Sequence, residues 1–171
     1  MKRVYLDIDT QIDFLFPTGA LYVPRAELLI PTLARLNRGA GTLISTMCAH
    51  EEDDPEFVKY GPHCVIGTAG QLKPVALMNG QHIIEKQQLD PFTSPKLGPL
   101  LVELAADEYV VYGVVTELCV RFAALGLLGL GKPVSLVTDA IAPLDAQAAA
   151  RFLADFVSRG GVLTTASQLL P

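Results

Sequence analysis

The feature that most constrains this chain is an alternation. Short runs rich in β-branched and aromatic residues are separated, almost from end to end, by stretches with leucines near helical spacing. Runs at 4–8, 42–46, 82–86, 109–115, 134–137 and 162–165 read as strands, and 26–37, 95–106, 118–130 and 145–158 read as helices. Gly39-Ala40-Gly41 ends the first helix, and Gly131-Lys132-Pro133 stops the third. Strands joined through helices imply parallel pairing, because a parallel connection needs a crossover long enough to return to the same sheet edge. The run at 109–115 shows no polar alternation, as a strand covered on both faces requires. Half of the residues are apolar and only 18% are charged, enough to cover a sheet on both sides. The expected fold is a three-layer α/β/α domain, a doubly wound sheet of about six mainly parallel strands. Its 171 residues suit one domain over 1–171.

One segment escapes the pattern. Residues 48–81 are rich in Pro, Gly, Asp and His and lack periodicity. A loop that long in a small domain is usually functional. A net charge of −5 offers no footprint for nucleic acid. The longest apolar stretch, 120–131, is too short to span a membrane and carries Arg121. Met1-Lys2-Arg3 leads directly into a strand-like run, so a cytoplasmic location is expected. Three cysteines without disulfide-type spacing agree with a reducing compartment.

In open α/β sheets, ligands bind beyond the carboxyl ends of the strands. Asp9 follows the first strand, Lys86 ends the third and Cys119 follows the fourth. If those strands are neighbours, a carboxylate, an ammonium and a thiol converge on one crevice. A thiol needs activation at neutral pH. Thr116 is the expected N-cap of the helix after the fourth strand, which places Cys119 in the first turn, where helix N–H groups favour an anion. Asp9 can take the thiol proton and later deliver it to a leaving amine. Each residue also has a plainer reading. Cys119 can be a buried inert thiol, Asp9 a turn former and Lys86 a snorkelling strand end.

The motifs in order resemble the isochorismatase-like cysteine hydrolases, especially the nicotinamidase branch, over nearly the whole chain. They are Asp9-Thr10-Gln11-Ile12-Asp13-Phe14, Gly19-Ala20-Leu21 with Val23-Pro24, Pro62-His63-Cys64 with Gly67-Thr68 and Gly70, Ile84-Glu85-Lys86, and Gly113 through Val120. The resemblance implies that Asp9, Lys86 and Cys119 form a catalytic triad that cleaves a small amide through a thioester. It implies a cis peptide before Val115, with the N–H groups of Val115 and Cys119 as an oxyanion hole. It also implies that Phe14 and Tyr60 contact the substrate. Branch members that process isochorismate without a covalent intermediate carry glycine where this chain has Cys119.

Nicotinamidases hold a divalent metal beside the triad. Here the matching positions are Cys48, His50, Glu56 and His63, with Cys48 replacing the usual aspartate. Those ligand types suit zinc; no organic cofactor is expected. The alternative reading leaves Cys48 in the core, His63 hydrogen-bonded to its loop, and the acidic run at 51–56 as a solvated face. Cys64 points away from His63 in an extended chain and packs inside. The expected partner is a small-molecule amide, nicotinamide-like or else an N-carbamoyl or ureido compound. A module with an inert thiol is the non-enzymatic alternative. The helix at 122–130, apolar nearly all round, is either internal or shared in a homo-oligomer, and the family commonly forms dimers or tetramers.

Overall fold

All six expected strands form, and they lie in one parallel sheet. The structure, a computed structural model, describes residues 2–170; Met1 and Pro171, counted in the expected domain, lie outside them. The strands are β1 (Arg3–Ile8), β2 (Leu43–Cys48), β3 (His82–Lys86), β4 (Glu108–Val114), β5 (Val134–Ala142) and β6 (Val162–Thr164). Their order is β3-β2-β1-β4-β5-β6. The chain winds outward from β1 in one direction and, from β4, in the other. The switch point between β1 and β4 is where such folds open a crevice.

The helices are α1 (Ile12–Leu15), α2 (Ile30–Gly39), α3 (Phe57–Tyr60), α4 (Leu97–Leu104), α5 (Arg121–Gly129), α6 (Ala146–Ser158) and α7 (Ala166–Leu169). Strand pleating divides the core into two. Val4, Leu6 and Ile8 of β1 pack with Leu97, Leu101, Val120, Leu127 and Phe152 on the α4-α5-α6 side. Tyr5 joins Leu15, Leu33, Leu36, Tyr112 and Ala166 on the α1-α2-α7 side. This period-two alternation in buried strands produces the three layers.

Several boundaries differ from the sequence expectation. The helix expected over 26–37 is a 3-10 turn (Ala26–Leu29) followed by α2. Pro31 lacks an N–H and so suits the first turn of a new helix. The helix expected from 118 instead opens with a wide π-type turn over Thr116–Val120, with Leu118 off helical dihedrals at φ −115° and ψ −106°. Thr116 is not its N-cap. Val115 holds that position, and the buried Thr116 hydroxyl has no hydrogen-bond partner. Helix α5 buries Ala123, Ala124 and Leu127 in the core, while Leu130 beyond its end is exposed. Asp145 caps α6, its carboxylate accepting from the N–H groups of Gln147 and Ala148. Among the described residues, no helix is long and apolar enough to cross a membrane.

The irregular segment at 48–81 is organised by side chains rather than by periodicity. Lys73 reaches under the sheet end, donating to Asp7 at 3.1 Å and to Thr10 at 2.7 Å, and all three are buried. Asn37 and Ser45 also donate to Asp7. A buried ion pair needs such added hydrogen bonds to offset desolvation. The network ties the long segment to β1, β2 and α2, and so holds one wall of the crevice.

Candidate active site

Asp9 follows β1 in a left-handed conformation, φ 49°, which a short polar side chain tolerates. Its N–H and carboxylate both turn toward Thr46, whose hydroxyl donates to Asp9 Oδ1 at 2.6 Å. Asp9 Oδ2 lies 2.8 Å from Lys86 Nζ, and both side chains are buried. Lys86 Nζ also lies 3.6 Å from Cys119 Sγ and donates to the Gln88 carbonyl at 3.0 Å. The carboxylate, ammonium and thiol therefore meet.

They do not meet because their strands are all neighbours. β2 lies between β1 and β3, and its last residue, Cys48, is opposite Lys86 in register. The Cys48 sulfur consequently sits inside the cluster, 3.2 Å from Lys86 Nζ and 3.6 Å from Asp9 Oδ2. Gln11 holds that strand end. Its Oε1 accepts from the Cys48 N–H at 2.8 Å, while its Nε2 donates to the Cys48 and Gln71 carbonyls at 2.7 Å. Asp13 performs the parallel task for the loops, accepting from Ala20 and Cys64 N–H groups. A Cβ at Gly70 would lie 2.2 Å from Asp13 Oδ2, so the backbone approaches too closely for a side chain.

Electrostatics follow from this crowding. Burial pushes the Asp9 carboxyl up, but the Lys86 ammonium and the hydrogen bonds from Lys86 and Thr46 outweigh it and hold the group below its ordinary value. Burial pulls Lys86 down, yet the charges of Asp9, Cys119 and Cys48 carry it well above the ordinary lysine range. A hydrogen bond from Cys119 brings the Cys48 thiol down to about 7, against burial and the Asp9 charge. The same bond, with burial, holds Cys119 well above the usual thiol value despite Lys86. The helix terminus alone was expected to favour a Cys119 anion; the neighbouring sulfur changes that balance.

The Asp9–Lys86 pair gives stability a defined pH window. Asp9 stays ionised in the fold where the unfolded chain takes up a proton. Its contribution is present above the unfolded value near 3.8 and is lost as pH falls from there through the folded value. The Lys86 contribution is complete below 10.5 and is lost as pH rises from there through the folded value. Urea titrations of wild type and Asp9→Asn are expected to differ most inside that window and to converge on the acid limb. A gap that stays constant down the acid limb would contradict the ion-pair origin.

Three of the four residues expected to hold a metal, Cys48, His50 and His63, come together. One ligand atom each from Cys48, His50 and His63 lies within 4.8 Å of the others, and all three residues are buried. A parallel bridge between His50 and Val65 brings the two histidines together, the His50 N–H donating to the Cys64 carbonyl. Cys64 itself is buried, and burial pushes its thiol far up. His63 Nδ1 lies 2.8 Å from the Gly61 carbonyl, which orients its Nε2 toward the cluster. His50 Nδ1 lies 2.9 Å from Asp54 Oδ2, leaving its buried Nε2 with no partner. A carboxylate behind one histidine and a carbonyl behind the other are the outer contacts that prepare imidazoles for a metal. The residues fit a divalent ion. Glu56 adjoins them, its carboxylate 3.8 Å from His63 Nε2. Of the acidic run, Glu51, Glu52 and Asp53 face solvent, whereas Asp54 and Glu56 turn inward.

Phe14, Leu21, Cys48, Glu56, Tyr60, His63, Leu89, Val115, Leu118 and Cys119 line one narrow cavity. Both residues expected to touch substrate, and both expected to supply oxyanion N–H groups, are among them. The Val114–Val115 peptide is cis, as the resemblance implied. The cavity volume is about 10 Å³, room for about one water molecule. A ring-sized ligand therefore needs the half-buried Leu21, Tyr60, Leu89 or Leu118 to shift. The position of Cys48 against Asp9 and Lys86 and the parts of Gln11 and Asp13 as loop anchors were missed in the sequence. The bare Asp-x-Gln-x-Asp spacing was their only signal.

The site lies at the carboxyl ends of a doubly wound parallel sheet, with Asp9 and Cys119 beside the β1–β4 switch point and Lys86 reaching in from the edge strand β3. The isochorismatase domain family matches residues 4–168, and the chain belongs to that family. Streptothricin hydrolase from Streptomyces noursei is 31% identical over 149 residues, a match covering 86% of this chain and 52% of that protein. The chain thus spans about half the length of that relative. Among solved structures, PnC1 from L. infantum in complex with nicotinate superposes with a TM-score of 0.90 at 29% identity, covering 97% of this chain and 93% of that one. Pyrazinamidase from Pyrococcus horikoshii in complex with zinc gives 0.88 at 29%, covering 96% and 99%.

Proposed function

We propose that this protein is a cysteine amidase acting on the C–N bond of a small aromatic amide such as nicotinamide, in a reducing cytoplasm. The observation that carries the reading is the meeting of Asp9, Lys86 and Cys119, with 2.8 Å between the first two and 3.6 Å from the ammonium to the sulfur. Cys119 gives its proton to Asp9 and attacks the amide carbonyl carbon. The N–H groups of Val115 and Cys119 receive the oxyanion. Asp9 returns the proton to the departing amine, ammonia leaves, and a thioester remains on Cys119. Asp9 then draws a proton from water as the water oxygen attacks the thioester carbonyl; the C–S bond breaks, the acid leaves, and Asp9 returns the proton to the Cys119 sulfur. Lys86 keeps carboxylate and thiolate from repelling one another throughout. Phe14 and Tyr60 supply the apolar walls for a flat ring. The nicotinate and pyrazinamidase complexes among similar structures support an aromatic acid or amide as the occupant.

Ammonia release from nicotinamide, pyrazinamide and an N-carbamoyl amino acid tests this. Release from the aromatic amides is expected. Release from the N-carbamoyl compound alone would move the reading to ureido substrates, and release from none would overturn it.

Cys48, His50 and His63, with Glu56 beside them, are the groups that would hold a divalent metal, zinc being suited to a thiolate and two imidazoles. Such an ion supplies a Lewis acid that fixes and polarises a ligand atom. Cobalt(II) substitution reports the ligand set directly. A thiolate-to-cobalt charge-transfer band is expected in wild type and in Cys119→Ala, and is expected to vanish in Cys48→Ala. A band that survives in Cys48→Ala would remove Cys48 from the set.

A further inference from the structure

Cys48 and Cys119 are two of three free cysteines, they come from different strand ends, and their sulfurs lie within 4.8 Å of each other. A disulfide bond is about 2.05 Å long, so the sulfurs need to close by less than about 3 Å. Lys86 Nζ stands against both, at 3.2 and 3.6 Å, a positive charge of the kind that favours the nucleophilic thiolate. Both sulfurs border the same narrow cavity, so a small oxidant that reaches one lies beside the other. Cys64, the third thiol, has its backbone tied to Asp13 and is fully buried.

We propose that Cys48 and Cys119 form a reversible disulfide within the site when hydrogen peroxide enters it. The peroxide transfers one oxygen to a thiolate sulfur; its O–O bond breaks and the departing hydroxide takes up a proton to become water. The resulting sulfenic acid is attacked by the second sulfur. An S–S bond forms, the S–O bond breaks, and hydroxide leaves as a second water with the second thiol's proton. Two thiols and one peroxide become one disulfide and two waters. The cross-link occupies Cys119 and spares it from irreversible oxidation to sulfinic and sulfonic acids. It also engages Cys48, so cross-link and metal are alternatives for the same sulfur. The substitution of cysteine at position 48 thus gives the site a built-in resolving thiol.

The test treats the protein, as purified and after chelation, with hydrogen peroxide, then alkylates under denaturing conditions and reads intact and peptide masses. Loss of two of the three alkylatable thiols, a peptide pair joined through Cys48 and Cys119, and full recovery with dithiothreitol are expected in at least one sample. Cys64→Ser should give the same cross-link. In Cys48→Ser, oxygen atoms should accumulate on Cys119 and resist dithiothreitol. Absence of any cross-link in both samples, a cross-link through Cys64, or over-oxidised Cys119 in wild type with Cys48 still alkylatable would each overturn the proposal. Because masses are read rather than turnover, the outcome is independent of whether the amidase reading holds.

Discussion

Cys119→Ala is expected to lower kcat/KM for ammonia release by about 10³-fold or more. Alanine removes the only atom at that position able to form the thioester, and the remaining groups cannot substitute. Asp9 is held as a carboxylate by Lys86, so it remains a base, but the bond-forming atom is gone. Substrate binding should change little, because Phe14, Tyr60 and Leu118 still line the cavity. The loss should therefore fall on kcat. The fold should survive, since a buried cysteine and alanine differ by one sulfur atom. Cys48→Ala is the informative companion. Its sulfur shares the same ammonium with Cys119 and lies within 4.8 Å of it, so it should perturb the pH profile without the same collapse. If Cys119→Ala kept wild-type turnover while Cys48→Ala lost it, the nucleophile would have to be reassigned to the strand-end thiol.

Gly113→Ala is expected to destabilise the protein by about 2–6 kcal/mol, from backbone strain and overpacking of about 1–3 kcal/mol each. Gly113 sits in β4 with φ at +116°, which an L side chain rarely adopts. A Cβ there would lie 2.2 Å from the Ile8 carbonyl oxygen and 2.7 Å from the Ile8 nitrogen. Those are backbone atoms of β1, the adjacent central strand, and cannot swing aside. The register of β4 against β5 shifts at this same point, between Val111 and Gly113. The glycine thus shapes the strand end from which the Cys119 turn departs. Against a typical stability of about 5–15 kcal/mol, such a loss could empty the native state. Urea midpoints measure it. Gly129→Ala is the control, because its Cβ meets nothing within 4 Å, and it should leave the midpoint unchanged or raise it. Equal midpoints for Gly113→Ala and wild type would show that the strand can relax.

Much of the fold was legible because the signals are local. Apolar runs of strand length, leucines at helical spacing and glycine stops are properties of short windows, and they placed six strands and four main helices. The parallel order followed from connectivity. Where local reading failed, a nonlocal contact had decided. The exception is Pro31, a local signal, which falls in the first turn of α2 just after the 3-10 turn. The Cys119 turn opened as a wide loop rather than a capped α-helix, and the Thr116 hydroxyl was left buried without a partner.

The site divides along the same line. The candidate ring contacts came only from the family resemblance; the sequence alone placed a carboxylate, an ammonium and a thiol at strand ends and two histidines and a cysteine in the unpatterned segment. Those follow from residue type and order, which a chain carries before it folds. Only the tertiary structure decided that β2 stands between β1 and β3, and that its last residue therefore lies against Asp9 and Lys86. Sheet order depends on which strands pair across long separations, a choice made by the whole core rather than by any window. That choice turned Cys48 from one ligand among several into the immediate neighbour of Cys119.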